Sequence, residues 1–440
     1  MKIKYKAYLC SFLLTFPILG KASVEADSLR QIQISRLQEQ VNWVNPEAIR
    51  AHLDDTKSSL GDKATGLYQK LEELETLLPR VNRHLSEDTT RQTIAEAEKL
   101  LALKREIILA NPLLDIDKIL IARYRLGNKA RKAMGPSLGT SVANYNSLFS
   151  SRRKGYNAEI SQLSNLRGDI QSKTIYKPEA DVPISDIQLH WDADRLLFSS
   201  LNENRQWQIY EINTDGTGLH QKIVVDEPDL EFCDANYLPD GKVVATCNIG
   251  YNGVPCVHGD DVVANLVSYD PETKNIHRLT FDQDGNWAPI VIPNGRLMYT
   301  RWEYTDLTHY FSRIVMHMNP DGTENKALYG SGSYFPNSTF DMKPLSKYNS
   351  RFVGIISGHH GTARSGRLII FDPAKSRKEE KGMIQELPFS KRPIVPIIKD
   401  ELVEGVWPQF MKPYPLNEKY FLVACKPGPD ALWGIYLVDI

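Results

Sequence analysis

The 440-residue sequence predicts a mainly β protein, built from repeated four-stranded antiparallel sheets and preceded by an α-helical segment. Three observations predict this fold. Short apolar runs alternate with turns rich in Pro, Asp, Asn and Gly, residues that favour tight turns for separate physical reasons. The pattern returns at intervals of about 40 to 50 residues, which is the spacing of propeller blades. Residues 28–111, in contrast, contain few glycines and carry apolar residues at helical spacing.

The clearest copy of the repeat covers residues 232–279. Its four predicted strands are separated by the turn 238–241, a long loop and the turn 270–273, which together make a four-stranded meander. Four further copies have the same order of strands and turns, and they begin near Trp191, Ile292, Leu345 and Pro415. At least five blades of a β-propeller are therefore visible. Since closure of the ring removes unpaired sheet edges, we expect six or seven blades in total.

The chain divides into four predicted parts. Residues 1–26 have the layout of a secretory signal peptide, because three early lysines precede an apolar run and small residues follow it. Residues 27–111 form a helical arm, 112–182 a connecting segment with an incomplete first blade, and 183–440 the propeller blades. No other stretch reaches the length of a membrane span. We therefore expect an exported protein, periplasmic or extracellular, without a transmembrane segment after signal cleavage.

The helical arm shows two apolar stripes, over residues 67–78 and 94–108. We expect two antiparallel helices joined by residues 79–85. The arm either packs on the propeller or binds a partner. A dimerising coiled coil is the functional alternative, although the apolar pattern is short for one.

Closure of the predicted ring has two alternative explanations. Residues 433–438 make a third strand of the last blade, and no fourth strand follows them. Either residues 156–163 supply the closing strand, or the sequence is part of a longer chain.

Charge and cysteine content exclude some functions. The formal net charge of −1 gives no general electrostatic reason to bind nucleic acid. Four cysteines remain after signal cleavage, and in an oxidising compartment they allow three disulfide pairings. Sequence alone does not choose among the pairings. The sequence contains no Cys-x-x-Cys-His motif, so a covalent c-type haem is not expected. The four residues are Cys233, Cys247, Cys256 and Cys425.

Unusual side chains are predicted on one face of the propeller. In a meander, the loop between the second and third strands shares a face with the connection to the next blade. The loops of this kind are 248–261, 301–311 and 358–366, and they are rich in His, Arg, carboxylate and aromatic residues. The turns on the opposite face contain only generic turn residues. Convergence of such side chains around one channel mouth predicts a binding site for a small-molecule or protein ligand.

A divalent metal such as zinc is the simplest chemistry for this face. The candidate ligands are Cys256, His258, His359 and His360, together with a carboxylate, because mixed N, S and O donors suit borderline divalent ions. Structural alternatives remain open for each of them. The two histidines of the 358–366 loop could bond to the backbone, and Cys256 could pair with Cys247. The ligands also lie on separate loops rather than in a compact spacing.

Other residues on this face are candidates for ligand binding or catalysis. The ligand-binding candidates are Trp287, Trp302, Asp306 and Arg364. Both tryptophans could instead pack between blades. If the protein is an enzyme, acid/base and anchoring groups are required. The candidates for those roles are His360, His309, Arg301 and Glu303.

Seven groups of motifs between about residues 101 and 438 form a recognisable set. They are 111–117, 155–160, 186–192, 237–241, 253–256, Trp287 with 301–306, and 357–361 with 371–373. This set resembles the hydrazine synthase alpha-subunit-like family of secreted bacterial propellers, of the WD-repeat or TolB-like type. The resemblance does not cover the helical arm.

The resemblance implies a propeller scaffold and an exported location. Hydrazine synthase itself is a multihaem enzyme that makes hydrazine from nitric oxide and ammonium, with a metal ion near its alpha-subunit haem. Since this sequence lacks the haem-attachment motif, the resemblance does not carry that reaction over. Cys256 and His360 are the positions to test as metal ligands.

Three functional hypotheses follow. The first is an exported propeller that binds a metal ion or small ligand at one channel mouth. The second is a periplasmic enzyme acting on carbohydrate or a small redox substrate. The third is a protein-interaction scaffold that uses the helical arm to bind its partner. Metal analysis of the purified protein separates the third from the other two.

Overall fold

The computed structural model describes residues 8–11, 23–87, 90–124, 144, 147–179, 181–254, 259, 261–303, 312–345, 348–388, 393–429 and 431–440. At residues 8–11, 23–29, 303, 312, 348 and 349 it describes the backbone only. The described chain is mainly β, with several antiparallel sheets and an N-terminal helical region, as the sequence predicts. Among the described residues, no helix is both long and apolar enough to cross a membrane.

The N-terminal region contains four helices in the described part of the chain: α1 (Ser23–Asn42), α2 (Pro46–Leu60), α3 (Lys63–Glu87) and α4 (Arg91–Leu109). Side-chain oxygens fix two helix starts, since Asn45 accepts a hydrogen bond from the Ala48 amide and Thr90 from the Thr93 amide. Short 3₁₀ turns occur further along the chain at Pro112–Leu114, Leu148–Ser150 and Glu379–Gly382.

The predicted connection at residues 79–85 is wrong, because α3 continues through Pro79 to Glu87. Proline inside a helix removes one backbone hydrogen bond and is unfavourable. Here Leu77, Val81 and Leu85 continue the buried stripe across the proline. Packing of this stripe into the helical core therefore outweighs the local cost.

The described strands form six antiparallel groups, numbered here as sheets 1 to 6 in chain order. One parallel pairing, between Arg313 and Ser338, joins sheets 4 and 5. After β1 (Tyr8–Ser11), sheet 1 holds β2 (Lys118–Tyr124), β3 (Ala158–Ser164) and β4 (Gln171–Tyr176), and sheet 2 holds β5 (Ile184–Leu189), β6 (Arg195–Leu201), β7 (Trp207–Asn213) and β8 (His220–Gln221). Sheet 3 holds β9 (Phe232–Tyr237), β10 (Val243–Cys247), β11 (Asn265–Tyr269) and β12 (Ile276–Arg278), and sheet 4 holds β13 (Asn286–Val291), β14 (Leu297–Glu303), β15 (Ser312–Met318) and β16 (Lys326–Tyr329). Sheet 5 holds β17 (Ser338–Leu345), β18 (Tyr348–Ser357), β19 (Arg367–Phe371) and β20 (Met383–Leu387), and sheet 6 holds β21 (Gln409–Pro415), β22 (Tyr420–Lys426) and β23 (Gly434–Asp439).

The last sheet gains its fourth strand from the beginning of the chain. β1 pairs antiparallel with β23, so the four strands of sheet 6 run in the order β1, β23, β22, β21. Residues 156–163 are not the closing strand, because β3 lies between β2 and β4 in sheet 1. β1 falls inside the segment predicted as a signal peptide, whose cleavage stays a prediction.

The first strands of successive sheets contact one another, in the order β2, β5, β9, β13, β17 and β21. Five of these strands contain a residue with left-handed backbone, φ between +51° and +53°, at a β-bulge. A bulge redirects the side chain at that point of the strand. These five residues are Asp186, Asp234, Ala288, Asp341 and Lys412.

The helical region packs against sheet 6. Tyr420 Oη donates a hydrogen bond of 2.6 Å to Asp55 Oδ2, and Ile108 and Leu114 pack near Leu437. His52 is fully buried here, with its ring 5.7 Å from that of Tyr420. Burial lowers the pKa of His52 to about 4.

We expect His52 to make the fold acid-sensitive. A histidine whose pKa is lower in the folded than in the unfolded chain stabilises the fold above the unfolded value, and this stability is lost as the pH falls towards the folded value. Between pH 7 and pH 5 the loss is about 2 kcal/mol, for an unfolded pKa near 6.5. Urea unfolding at both pH values should show a smaller loss in His52→Leu than in the wild type. An equal loss in the two proteins would assign the acid sensitivity to other groups, such as Asp55.

Candidate functional site

Two histidines and an aspartate meet on the loops beside sheet 5. His359 and His360 lie in the loop between β18 and β19, and Asp400 lies in the connection from β20 to β21. The amides of His359 and His360 both donate to the carbonyl oxygen of Asp400, at 2.8 and 3.3 Å. Backbone hydrogen bonds therefore hold the two loops together independently of the side chains.

Glycine at position 358 permits this approach of the loops. A Cβ atom at Gly358 would lie 2.5 Å from the backbone oxygen of Asp400 and 2.8 Å from the amide nitrogen of Leu402. Such distances are too short for any side chain at this position. Gly361, with φ of +81°, then turns the loop back at its tip.

The side chains of His359, His360 and Asp400 form one compact group, called here the HHD group. One donor atom from each residue lies within 4.8 Å of the other two. His360 Nδ1 lies 2.8 and 2.9 Å from the two carboxylate oxygens of Asp400, and the imidazole rings of His359 and His360 are 4.2 Å apart. His359 is buried, whereas His360 and Asp400 are about half exposed.

Two imidazoles and one carboxylate are a donor set that divalent transition metals accept. Neutral imidazole suits zinc, copper and iron, and a set of two histidines and one carboxylate also leaves coordination positions open for water or substrate. His360 Nδ1 and the Asp400 carboxylate are adjacent, so an ion bound by both would take the place of the hydrogen bond between them. The HHD group therefore fits the predicted metal chemistry, with Asp400 as its carboxylate.

Buried aromatic rings pack against the loop that carries His359 and His360. Trp302 lies 6.4 Å from the His359 ring and stacks with Trp287 at 6.5 Å and 23°. Both tryptophans are almost fully buried, at 2% and 1% exposure for Trp287 and Trp302, respectively. They belong to one apolar cluster with Leu148 and Phe149. In this structure the two rings thus pack against the histidine loop. Their role in ligand binding stays a prediction.

Asn144 fixes the same loop from a distant part of the chain. This side chain is 2% exposed, and its Nδ2 donates to the Gly358 carbonyl at 2.7 Å and to Ser357 Oγ at 3.0 Å. Its Oδ1 accepts from the Arg364 amide at 2.8 Å. The loop is therefore held at both ends by one amide side chain.

Two predicted arginines have partners in the structure. Arg301 forms an ion pair with Asp282 at 2.8 Å. The Arg364 guanidinium lies 4.5 Å above the Phe340 ring and 5.4 Å from the Trp287 ring. Burial lowers the pKa of Arg364, and the carboxylates of Asp234, Asp341 and Asp186 oppose that shift.

Several predicted site residues lie outside the described part of the chain. These are Cys256 and His258 of the first loop and Asp306 and His309 of the second, while Glu303 is described by its backbone alone. Their roles as ligand, catalytic or metal-binding residues stay predictions. The two tryptophans, the two histidines and Arg364 lie near one another, since the Trp302 ring is next to His359 and the Arg364 guanidinium is next to Trp287.

The described cysteines are buried free thiols, Cys233, Cys247 and Cys425. Burial raises the pKa of all three thiols, which disfavours the thiolate that a metal requires.

A second group of possible ligands, His190, Asp192 and Asp194, lies on the turn between β5 and β6. There His190 Nε2 lies 2.7 Å from an Arg195 nitrogen, and both carboxylates are well exposed.

Sequence reasoning missed Asp400. One signal for it was present, because the connection between β20 and β21 runs to the same face as the 358–366 loop and carries Asp400, Glu401 and Glu404. It also missed the charged side chains on the first strands of the sheets, namely Asp186, Asp234, Asp341, Lys343 and Lys412. Aspartate and lysine inside a predicted strand gave no pattern that separates them from surface residues.

Comparisons with known proteins give structural likenesses only. No family model matches the chain, and no curated protein matches it. The chain is similar to hydrazine synthase from Kuenenia stuttgartiensis, with a TM-score of 0.47 and 14% identity over 73% of this chain and 43% of that chain. It is similar to TolB from Acinetobacter baumannii (TM-score 0.41, 14% identity, 78% of this chain and 70% of that chain). It is also similar to oligogalacturonate lyase from Vibrio parahaemolyticus (TM-score 0.39, 12% identity, 74% of this chain and 98% of that chain). The chain spans less than half of the hydrazine synthase chain, and the resemblance to that family stays a prediction.

Proposed function

We propose that this chain is an exported β-propeller protein whose HHD group binds a divalent transition-metal ion at one mouth of the propeller. The observation that carries the proposal is the meeting of His359, His360 and Asp400 within 4.8 Å of one another. Asp400 comes from a different loop than the two histidines, so the donor set is assembled by the fold.

Contacts across the molecule support the radial arrangement. The first strands touch in chain order from β2 to β21. In addition, Lys343 Nζ of sheet 5 lies 3.5 Å from Gln188 Oε1 of sheet 2, three sheets away along the chain. In a ring of six blades, sheets three apart face each other across the axis. This contact therefore fits six blades around one axis.

The surroundings of the HHD group also favour a bound ion. The loop that carries the histidines is fixed by Asn144, by the Asp400 carbonyl and by the buried tryptophans. Ligands on a fixed backbone lose little freedom when an ion binds. His360 and Asp400 remain accessible from solvent, which gives the ion an entry path. An ion held by two imidazoles and a carboxylate would polarise a bound water or a ligand carbonyl.

We expect metal-stripped protein to bind one Zn²⁺ or Mn²⁺ ion per chain. The His360→Ala substitution should weaken binding by about 100-fold, because one of three proposed ligands is lost. Asp400→Asn should weaken it by about 10-fold to 100-fold, because an uncharged amide oxygen is a weaker ligand than a carboxylate. Competition against a chromophoric chelator measures both affinities.

Two further variants make this titration specific. His277→Ala removes an exposed histidine on β12 and should leave the affinity unchanged. Cys256→Ser tests the predicted thiolate, and a large loss in that variant would add a fourth ligand. If both His360→Ala and Asp400→Asn bind the metal ion with wild-type affinity, the proposal is refuted.

A further inference from the structure

A second group of charged side chains lies between the first strands of the sheets, away from the metal proposal. Four of its members are the left-handed residues at the bulges of β5, β9, β17 and β21, and two more come from β17 and the loop after β18. We call these six residues the axial cluster: Asp186, Asp234, Asp341, Lys343, Arg364 and Lys412. With every group ionised, three carboxylates face three cations.

The carboxylates of the axial cluster have structural partners. Asp341 accepts a 3.0 Å hydrogen bond from the Lys412 amide and a 2.7 Å bond from its Nζ, which joins sheets 5 and 6. Asp234 Oδ2 lies 3.4 Å from the Ala288 amide, which joins sheets 3 and 4. Asp186 accepts from Ser199 Oγ within sheet 2 at 3.3 Å. These contacts give the acidic residues a role in joining neighbouring strands.

The lysines of the axial cluster do not use all of their hydrogen-bond donors in contacts with the described residues. The Lys412 side chain is 63% exposed, although β21 is the first strand of sheet 6 and lies against β17 of sheet 5. Solvent therefore reaches the space between the first strands. Lys343 Nζ has one hydrogen bond among the described residues, at the long distance of 3.5 Å to Gln188. An ammonium group has three donors, so both lysines retain donor capacity in this space.

The two lysines are also close enough to repel each other. Burial and the positive charge of Lys412 together lower the pKa of Lys343 to about 8, and the Asp341 carboxylate opposes this shift. Burial and the neighbouring Asp186 carboxyl both raise the pKa of Asp234. Near pH 7 the axial cluster is therefore poorer in negative charge than its composition suggests.

We propose that Lys343 and Lys412 form a binding site for a small anion of the carboxylate or phosphate type in the space between the first strands. The anion would accept hydrogen bonds from both ammonium groups and would relieve their mutual repulsion. Arg364 adds positive charge from a guanidinium held over Phe340. The proposal goes beyond the metal site, because it shares no ligand with the HHD group.

The experiment is calorimetric titration of the full chain with sulfate and with malonate, two anions whose charge is constant between pH 7 and pH 9. We expect saturable binding of at least one of them at pH 7. Lys343→Met should weaken it about 10-fold, and Lys412→Arg, which keeps a cation beside Asp341, should weaken it less than Lys412→Met does. His360→Ala should leave anion binding unchanged, which separates this site from the metal site. Lys375→Met, on the exposed turn after β19, is the matched control.

Proton uptake gives an independent readout. Binding near pH 8 should take up about half a proton, since an anion favours the charged form of a lysine that is half protonated there. Repeating the titration in buffers of different ionisation enthalpy measures this number. The charged groups that act on Lys343 are Lys412 and Asp341. Lys412 in turn faces Asp341, Asp186 and Asp234.

Each outcome of the titration either supports or overturns the anion-binding proposal. Binding of sulfate alone indicates a tetrahedral oxyanion ligand, and binding of malonate alone indicates a carboxylate. Binding of neither anion to the folded wild type would overturn the proposal. Equal binding in the wild type and in folded Lys343→Met and Lys412→Met variants would overturn it as well.

Discussion

Gly366→Ala is expected to destabilise the fold by about 4 kcal/mol or more. Losses of this size result from substitutions that introduce a severe steric or burial defect. Gly366 begins the return from the histidine loop into β19 and forms a bridge with Phe410 of β21. Its amide donates to the Phe410 carbonyl at 3.1 Å and its carbonyl accepts from the Phe410 amide at 2.9 Å. A Cβ atom there would lie 2.0 Å from the backbone oxygen of Ile356. Since that oxygen belongs to the paired strand β18, no side-chain rotation can remove the clash.

Urea unfolding of Gly366→Ala and Gly66→Ala makes this a matched comparison. Gly66 lies inside α3 and no atom lies within 4 Å of an added Cβ. Alanine is favoured over glycine in a helix interior, so Gly66→Ala should raise stability by up to about 1 kcal/mol. If Gly366→Ala unfolds at the wild-type midpoint, the close approach of Gly366 to the Ile356 backbone in β18 is incorrect.

Asp341→Ala is expected to cost about 3 kcal/mol, because it removes two hydrogen bonds between sheets 5 and 6 and a charge that offsets Lys412. The Asp341 side chain is only 10% exposed, whereas Lys412 is 63% exposed, so solvent screens part of the attraction and the two hydrogen bonds supply most of this cost. Burial by itself would raise the pKa of Asp341. The Lys412 ammonium and the Lys412 amide reverse that effect and hold the pKa below its usual value.

The sign of the pH dependence follows from this lowered pKa. The stabilisation is present above the unfolded pKa of an aspartate, near 3.9, and is lost as the pH falls through the lower folded value. Asp341→Asn keeps the shape but not the charge, so it should cost less than Asp341→Ala and remove the same acid-dependent part. Thermal unfolding at pH 7 and pH 3 measures both effects. An equal Tm for the wild type and Asp341→Ala at pH 7 would contradict the proposed tie between the sheets.

Much of the fold could be predicted because its signals are local. The turn 238–241 ends in Gly241, whose φ of +86° a β-branched or bulky residue would not adopt, and predicted strands flank it on both sides. Sheet 3 accordingly has the predicted meander order. The helical arm was also predictable in outline, because Leu67, Leu71 and Leu74 occupy one face at helical spacing. Local propensity failed at Pro79, where packing of distant helices decides the outcome.

The candidate site was predictable only in part, because its members come from separate loops. His359 and His360 stood out as a pair, but their partner Asp400 is placed by backbone hydrogen bonds between two connections about 40 residues apart. Asn144 is further still along the chain, and its contacts with Ser357 and Gly358 depend on tertiary structure alone. The axial cluster depends on bulges that put Asp186 and Lys412 in left-handed conformations, which are uncommon for residues other than glycine.

The central claim is that the fold brings His359, His360 and Asp400 together as a metal site. The most direct measurement is anomalous diffraction from crystals equilibrated with Zn²⁺ or Mn²⁺, with data collected on both sides of the metal absorption edge. We predict one strong peak about 2.0 to 2.2 Å from a nitrogen of each histidine and an oxygen of Asp400. Absence of a peak there at saturating metal would contradict the account, as would a peak held only by His190, Asp192 and Asp194.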